Sequence, residues 1–295
     1  MAKQSVSSAL ANWVAHAAAS VPLPLTPKNP VFLVGCARSG TSILKTVIAS
    51  HEDMVAFPGE ANHLWHPTGY PWIESDYSKP PLWADPQKFT RLSLADWDPN
   101  QARRIQREFA AFQRLRGKRV FLNKSAMIAF MLRDVRKHFP EARFIHIIRD
   151  GRSVALSYAR MEREKMEASP DAYRTHGHWF AFDDLLDHMA MIWQLHLEEI
   201  DRVVEEQCWR DQGIYFECTY EDFCRRPRVL AEEISDFLGL DPARLRFRDE
   251  AGIRDMNYKL SRELSAERIE ALTEVMLGEL NRKGYPINSA STGEA

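Results

Sequence analysis

Residues 30–50 read PVFLVGCARSGTSILKTVIAS, and this stretch decides the fold. The apolar run Val31-Phe32-Leu33-Val34 is short, β-branched at both ends and bounded by Pro30 and Gly35, which predicts a buried strand. The chain then breaks into Gly35-Cys36-Ala37-Arg38-Ser39-Gly40-Thr41-Ser42, after which Ile43, Leu44, Val47 and Ile48 recur at helical spacing. A strand, a glycine-bounded loop and a helix start turn successive backbone N–H groups toward an anion. The helix N-terminus adds roughly half a positive charge at the same place. This loop is expected to hold a phosphate-like group; the plainer alternative is a strand–turn–helix whose glycines only relieve strain.

One absent residue narrows the anion. A nucleoside-triphosphate loop reads G-x-x-x-x-G-K-[ST], with Lys on the phosphates and the hydroxyl on Mg²⁺. Gly35 and Gly40 have that spacing and Ser42 stands where the hydroxyl would be, but the Lys position is Thr41. The cation has moved into the loop as Arg38, whose fork of donors suits an oxyanion without a metal. A kinase or ATPase is disfavoured on that ground.

The chain has 295 residues, enough for one large domain or two small ones. A hydrophobic fraction of 45% and a charged fraction of 27% are ordinary for a globular protein. The net charge is −2 with no long run of like charges, which argues against a nucleic-acid partner. Cys36, Cys208, Cys218 and Cys224 form no C-x-x-C pair and suggest neither a disulfide framework nor a zinc site. No apolar run approaches the roughly 18 residues of a membrane span. The stretch Ala9–Val21 lacks the core of a signal peptide, and the protein is expected to be cytoplasmic.

Along the chain, 1–29 reads as a short helix and a Pro-rich lead-in, 30–285 as the main domain and 286–295 as a loose tail. Met54–Phe57 is a possible short strand. Residues 58–100 hold Trp65, Trp72, Trp83 and Trp97 among many prolines. They read equally as an ordered cover over an acceptor pocket and as a plain packing flap. Helical spacing covers 100–116, and Val120–Asn123 reads as a strand. Lys124 follows, and then one helix through Phe139. Arg143–Ile148 is a strand ending on Arg149, and a helix runs from about Arg152 to Glu164. The polar, aromatic stretch 165–182 is expected to form a second piece of pocket wall. A long helix (about Asp183–Gln207), a strand (Ile214–Cys218) and helices over Pro227–Leu238 and Ser265–Asn281 complete the pattern. Strands alternating with helices predict an α/β protein of the P-loop type, a three-layer fold with a mainly parallel sheet of four or five strands flanked by helices. Met189, Ile192, Trp193 and His196 form a stripe expected to be core, and His146 is expected to be a satisfied core histidine.

A second informative stretch is Arg149-Asp150-Gly151-Arg152-Ser153-Val154-Ala155-Leu156-Ser157. Arg149 ends a buried strand, at the edge where α/β folds place ligands. Ser157 lies two helical turns on and can share a ligand with Arg149 only if the helix folds back over that edge. Taken with the first loop, this resembles the sulfotransferases that use 3′-phosphoadenosine 5′-phosphosulfate. The lead-in Pro140–His146 and the run Tyr220-Glu221-Asp222-Phe223 also look like that family, and the likeness covers most of 30–285.

The resemblance implies that Arg38, Ser39, Gly40, Thr41 and Ser42 bind the 5′-phosphosulfate and that Arg149 and Ser157 bind the 3′-phosphate. It also implies that Tyr220 touches the nucleotide, and that a loop over Gly252–Arg262, with Lys259, closes on it. In the bacterial and Golgi-type branch that includes the tyrosylprotein sulfotransferases, a Gly-Glu pair supplies the general base, here Gly59-Glu60. An Asn-Lys pair, here Asn123-Lys124, supplies a cation to the transferring group. His51, His63 and His66 are the alternative bases, as in the cytosolic branch. Those tyrosylprotein enzymes carry a further Arg where this chain has Met161, which turns the expectation from peptide tyrosine to a carbohydrate, lipid or small-molecule hydroxyl. The leaving group is a good one, so no metal is called for. The competing functions are a nucleotide kinase and a nucleotide-binding module without catalysis, and the second has no need of Glu60 and Lys124.

Overall fold

Strand β1 (Pro30–Val34) forms as its apolar run predicts, and all five of its residues are buried. Successive side chains of a strand point to opposite faces. Accordingly Phe32 and Val34 enter one hydrophobic cluster while Val31 and Leu33 enter another. A strand covered on both faces is the sign of a parallel sheet sandwiched between helices. The computed structural model describes residues 26–65, 99–175, 180–247 and 252–287. The expected N-terminal helix, Trp72, Trp83, Trp97, His66 and the tail from 288 onward lie outside the described residues.

After β1 come α1 (Thr41–Ile48), β2 (Met54–Ala56), the short α2 (Asn62–Trp65), α3 (Pro99–Arg116), β3 (Val120–Lys124), α4 (Leu132–His138) and β4 (Arg143–Ile148). They are followed by α5 (Gly151–Ala168), α6 (Pro170–Thr175), α7 (Phe182–Glu206), β5 (Tyr215–Thr219), α8 (Tyr220–Arg225) and α9 (Pro227–Phe237). Last come α10 (Lys259–Glu263), α11 (Ala266–Val275) and α12 (Leu277–Arg282). The strand order is β2-β3-β1-β4-β5 and every neighbouring pair is parallel. The chain winds outward from β1 to one side and then to the other. A crevice therefore opens at the carboxyl ends of β1 and β4, the switch point where such sheets bind ligands.

One face of the sheet packs against α3, α5, α7 and α11, and the other against α1, α8 and α9. Phe32 centres an aromatic group on the first face, with Phe139, Phe144 and Trp65 at 5.2, 5.8 and 5.9 Å. The stripe Met189, Ile192, Trp193 and His196 is buried as expected, and His146 is buried with its Nδ1 2.6 Å from the Tyr215 hydroxyl.

Three expectations need correction. The single helix after Lys124 is a 3₁₀ turn (Ala126–Phe130) followed by α4, broken at Met131. Met127–Phe130 are buried without exception, so that stretch has no polar face and cannot run as a surface helix. Within 165–182, α5 continues to Ala168, α6 follows and Tyr173 is a core residue, while 176–179 lie outside the described residues. The last helix is two, α11 and α12, separated at Met276. Of the two readings of 58–100, Trp65 itself fits the packing one: it is fully buried, its indole N–H donating to Asn123 Oδ1 at 2.9 Å.

Candidate active site

Each of the five strands delivers a side chain to the carboxyl edge of the sheet. Arg38 comes from the loop after β1, Glu60 from the turn after β2 and Lys124 from the last position of β3. Arg149 and Tyr220 directly follow β4 and β5. Residues scattered over 180 positions of sequence meet because parallel strands all end on the same side.

The loop after β1 depends on its two glycines. Gly35 and Gly40 have φ of +143° and +91°, and a Cβ would come within 2.5 Å of the Ile147 carbonyl at the first and 2.6 Å of the Tyr220 ring at the second. No other residue fits either place. Arg38 itself has φ +73°, a left-handed conformation that costs a non-glycine residue on the order of 1–3 kcal/mol and tends to persist at functional sites. The strain is held by Arg149, whose Nη1 donates to the Arg38 carbonyl at 3.0 Å. The Arg38 side chain in turn donates through Nε to Ser157 Oγ at 3.0 Å. Helix α5 therefore does fold back over the edge, starting immediately after Arg149 with Asp150 as its cap, which accepts from the Arg152 N–H at 2.9 Å.

Arg149 is fixed from three sides. Its Nε donates to Asn257 Oδ1 at 2.8 Å, and its guanidinium lies 4.4 Å from the centre of the Tyr220 ring. The Tyr220 hydroxyl donates to the Arg254 carbonyl at 2.9 Å and accepts from the Met256 N–H at 3.2 Å, so this ring ties the late loop to β5. Glu221 accepts from Asn257 Nδ2 at 2.7 Å, the Asp150 N–H at 3.1 Å and the Tyr285 hydroxyl at 3.0 Å. Trp193 donates its indole N–H to the Arg149 carbonyl at 3.1 Å and packs so closely on Gly151 that a Cβ there would meet the ring at 2.6 Å. Asn257, Glu221 and Trp193 are supports that the sequence did not single out for this task; the helical stripe marked Trp193 only as core.

Beside Arg149 and Ser157 opens a cavity of about 410 Å³, lined by Arg38, Arg149, Arg160, Lys259, Ser153 and Ser157, with Glu164, Glu263 and a margin of Leu and Met side chains. Four cations face two carboxylates. The buried Ser39 and Ser153 hydroxyls have no hydrogen-bond partner. Buried polar groups are normally satisfied, and orphaned donors beside a basic cavity fit a polyanionic ligand. Of the loop's expected ligands Arg38 lines the cavity, while Ser39 and Thr41 are buried and Ser42 is exposed on α1. Tyr220 lies beneath Arg149 rather than in the lining.

Glu60 and Lys124 form an ion pair, with the ammonium largely buried and the carboxylate about one-third exposed. Burial, then Glu162, Cys36 and Glu60, push the Tyr158 phenol on α5 well above its ordinary range, and Arg38 pulls it the other way. Asn123 Nδ2 and Ser125 Oγ flank Lys124, buried and without partners. Lys45, absent from the sequence expectations, donates to the Phe57 and Gly59 carbonyls at 2.6 and 2.9 Å, directly behind Glu60. Among the alternative bases, His51 is buried against Asp241 and Asp53 backbone groups, and nothing is described of the His63 side chain.

A parallel α/β sheet with a glycine-bounded, arginine-bearing loop after β1 and a second arginine directly after β4 defines a P-loop-type fold without the Walker lysine. The particular family follows from comparison. The model of the sulfotransferase family matches residues 30–244, and the chain belongs to that family. The enzyme is a transferase of the sulfotransferase type, which sets aside the kinase. Solved structures share the fold. The sulfotransferase STF9 of Mycobacterium avium superposes with a TM-score of 0.63 at 14% identity, over 95% of this chain and 85% of that one. A sulfotransferase from Alicyclobacillus acidocaldarius gives 0.53 at 19% identity, over 87% and 94%. The sulfotransferase domain of the Synechococcus PCC 7002 olefin synthase gives 0.52 at 20%, over 91% and 99%. No curated protein matches the sequence. Among the described residues no helix is long and apolar enough to cross a membrane.

Proposed function

We propose that the enzyme moves a sulfuryl group from 3′-phosphoadenosine 5′-phosphosulfate to a hydroxyl of a carbohydrate, lipid or small molecule, with Glu60 as general base. The observation that carries this reading is the convergence of Arg38, Arg149 and Ser157 on one basic cavity, with the Glu60–Lys124 ion pair at the same carboxyl edge of the sheet. The donor supplies an activated sulfur–oxygen bond whose leaving group is a phosphate oxygen. Arg149 and Ser157, with Arg160 and Lys259 across the cavity, would hold the 3′-phosphate, and two arginines on one phosphate favour a bidentate grip. Arg38 and the N–H groups of the loop would hold the 5′ end, at the N-terminus of α1.

The transfer forms a bond from the acceptor oxygen to sulfur and breaks the bond from sulfur to the phosphate oxygen. Glu60 takes the acceptor's proton as that oxygen attacks. Lys124 is salt-bridged to Glu60, and its ammonium has three donors, so it can keep the base in place while offering a hydrogen bond to a sulfuryl oxygen. Positive charge fixed in advance where negative charge develops is the main contribution expected of such a site. Lys124 and Arg38 are the residues assigned to it. The support for Glu60 as base is its place in the turn after β2, ion-paired to Lys124 at the carboxyl edge that also carries Arg38.

The test is incubation of the enzyme with ³⁵S-labelled donor and a panel of sugars, sterols, fatty alcohols and phenols, with Glu60→Gln in parallel. Label transferred to a hydroxyl acceptor by the wild type and not by Glu60→Gln supports the reading. Label transferred equally by both removes Glu60 as base.

A further inference from the structure

We infer that Lys45 is a positioning residue for the sulfuryl-transfer step: it clamps the turn Phe57–Ala61 so that Glu60 faces Lys124 and the donor loop. The inference rests on Glu60 being the base. Lys45 stands in the last turn of α1, where a lysine ordinarily serves its own helix's free carbonyls. Here its ammonium crosses instead to the carbonyls of Phe57 and Gly59, at 2.6 and 2.9 Å, one on each side of Pro58. Two of its three donors are thereby committed to the backbone immediately before Glu60.

The turn needs such a clamp. Gly59 and Ala61 both have left-handed backbones, with φ of +62° and +57°, and Ala61 is buried in that conformation without the freedom of glycine. Glu60 is thus held between two left-handed residues, an arrangement that persists only when surrounding contacts impose it. Below Ala61 the N–H groups of Leu64 and Trp65 both turn to the Ala61 carbonyl, which anchors the exit of the turn to the core. Above it Phe57 is tied by its N–H to the Leu122 carbonyl of β3. Between these two anchors, Lys45 is the side chain that reaches the Phe57 and Gly59 carbonyls.

The arrangement also sets the charges. Lys45 is half-buried beside a second ammonium, and its pKa is brought down to about 8 by burial first and by Lys124, with Glu60 opposing. Lys124 of β3 thus pairs with the Glu60 carboxylate itself, while Lys45 of α1 holds the backbone just before it. The anion loop and the turn carrying the base both lie at the carboxyl edge of the sheet, and Lys45 reaches the second from the helix that begins at the first.

The experiment compares Lys45→Met and Lys45→Arg with the wild type in two measurements. Hydrogen exchange in the peptide spanning 57–65 is expected to quicken at least about tenfold in Lys45→Met, as for loss of a charge-assisted hydrogen bond, and to stay near wild type in Lys45→Arg, whose fork can still reach both carbonyls. Turnover on the acceptor returned by the labelled-donor panel is expected to fall about 10²-fold in kcat for Lys45→Met, the usual consequence of a base displaced by about an ångström, with the donor KM unchanged and activity restored in Lys45→Arg. Unchanged exchange in Lys45→Met overturns the inference, and so does quickened exchange with wild-type kcat. The Glu60→Gln enzyme separates the two readings. Full turnover there overturns Glu60 as base by itself, whereas a dead Glu60→Gln beside a normal Lys45→Met overturns the Lys45 inference alone. The double variant should lose no more than Glu60→Gln, since both changes act on one group.

Discussion

Arg38 shows how much one side chain can carry in this site. It accepts backbone strain, lends its carbonyl to Arg149 and reaches Ser157 with its guanidinium, so the two halves of the anion site are already joined. Two predictions belong at this scale. Glu60→Gln should lower kcat by about 10²–10⁴, the ordinary worth of a general base, while the melting shift produced by 3′-phosphoadenosine 5′-phosphate is retained. Trp193→Phe keeps the packing on Gly151 and removes one hydrogen bond to the Arg149 carbonyl. It should cost about 1 kcal/mol in urea unfolding and weaken the same nucleotide several-fold by calorimetry. Arg38 and Arg149 were legible in the sequence because they sit in short motifs at strand ends, and Ser157, two helical turns on, entered through the family resemblance. Trp193, Asn257, Glu221 and Lys45 were not, because each acts through a partner between 12 and 108 residues away. No local pattern of residue types encodes such a pairing.

The elements of the sheet followed their periodicity closely, and the departures have physical causes. Strand β5 is displaced by one residue from its expected start, as strand ends generally are. The helix expected after Lys124 broke where apolar residues cover all sides, a condition that does not change the local spacing. The loop–helix unit after β1 yields the sharpest element-scale prediction. Gly40→Ala would drive a methyl into the Tyr220 ring and demand φ near +91°, so donor and product nucleotide binding should be abolished. Circular dichroism should still report a folded helical protein. Helix α7 carries the second. His196 is wholly buried, its ring 4.6 Å from Phe130, and burial draws its pKa down from 6.5 to about 4. The unfolded chain therefore takes up a proton between those values that the folded one refuses. Stability is full above about pH 6.5 and declines as pH falls toward 4, by up to about 3 kcal/mol. Urea midpoints measured across that range should show the decline, and His196→Gln should flatten it relative to wild type.

At the scale of the molecule, a parallel sheet explains why residues from five strands converge. The strand order puts the switch point between β1 and β4, and both arginines stand on it. That architecture was legible from the alternation of strands and helices, and family membership agrees with it over residues 30–244. The stretch 58–100 was not legible in the same way, because tryptophans among prolines define neither a period nor a partner. The most direct test of the central claim is calorimetric titration of 3′-phosphoadenosine 5′-phosphate against adenosine 5′-monophosphate, which lacks the 3′-phosphate, in wild type and Arg149→Ala. Hydrogen bonds to charged groups are worth about 1.5–3 kcal/mol, so the 3′-phosphorylated nucleotide should bind roughly 10–100-fold more tightly to wild type, and Arg149→Ala should erase most of that preference. Equal affinity for the two nucleotides, or a preference untouched by Arg149→Ala, would contradict the assignment of this cavity to the sulfuryl donor.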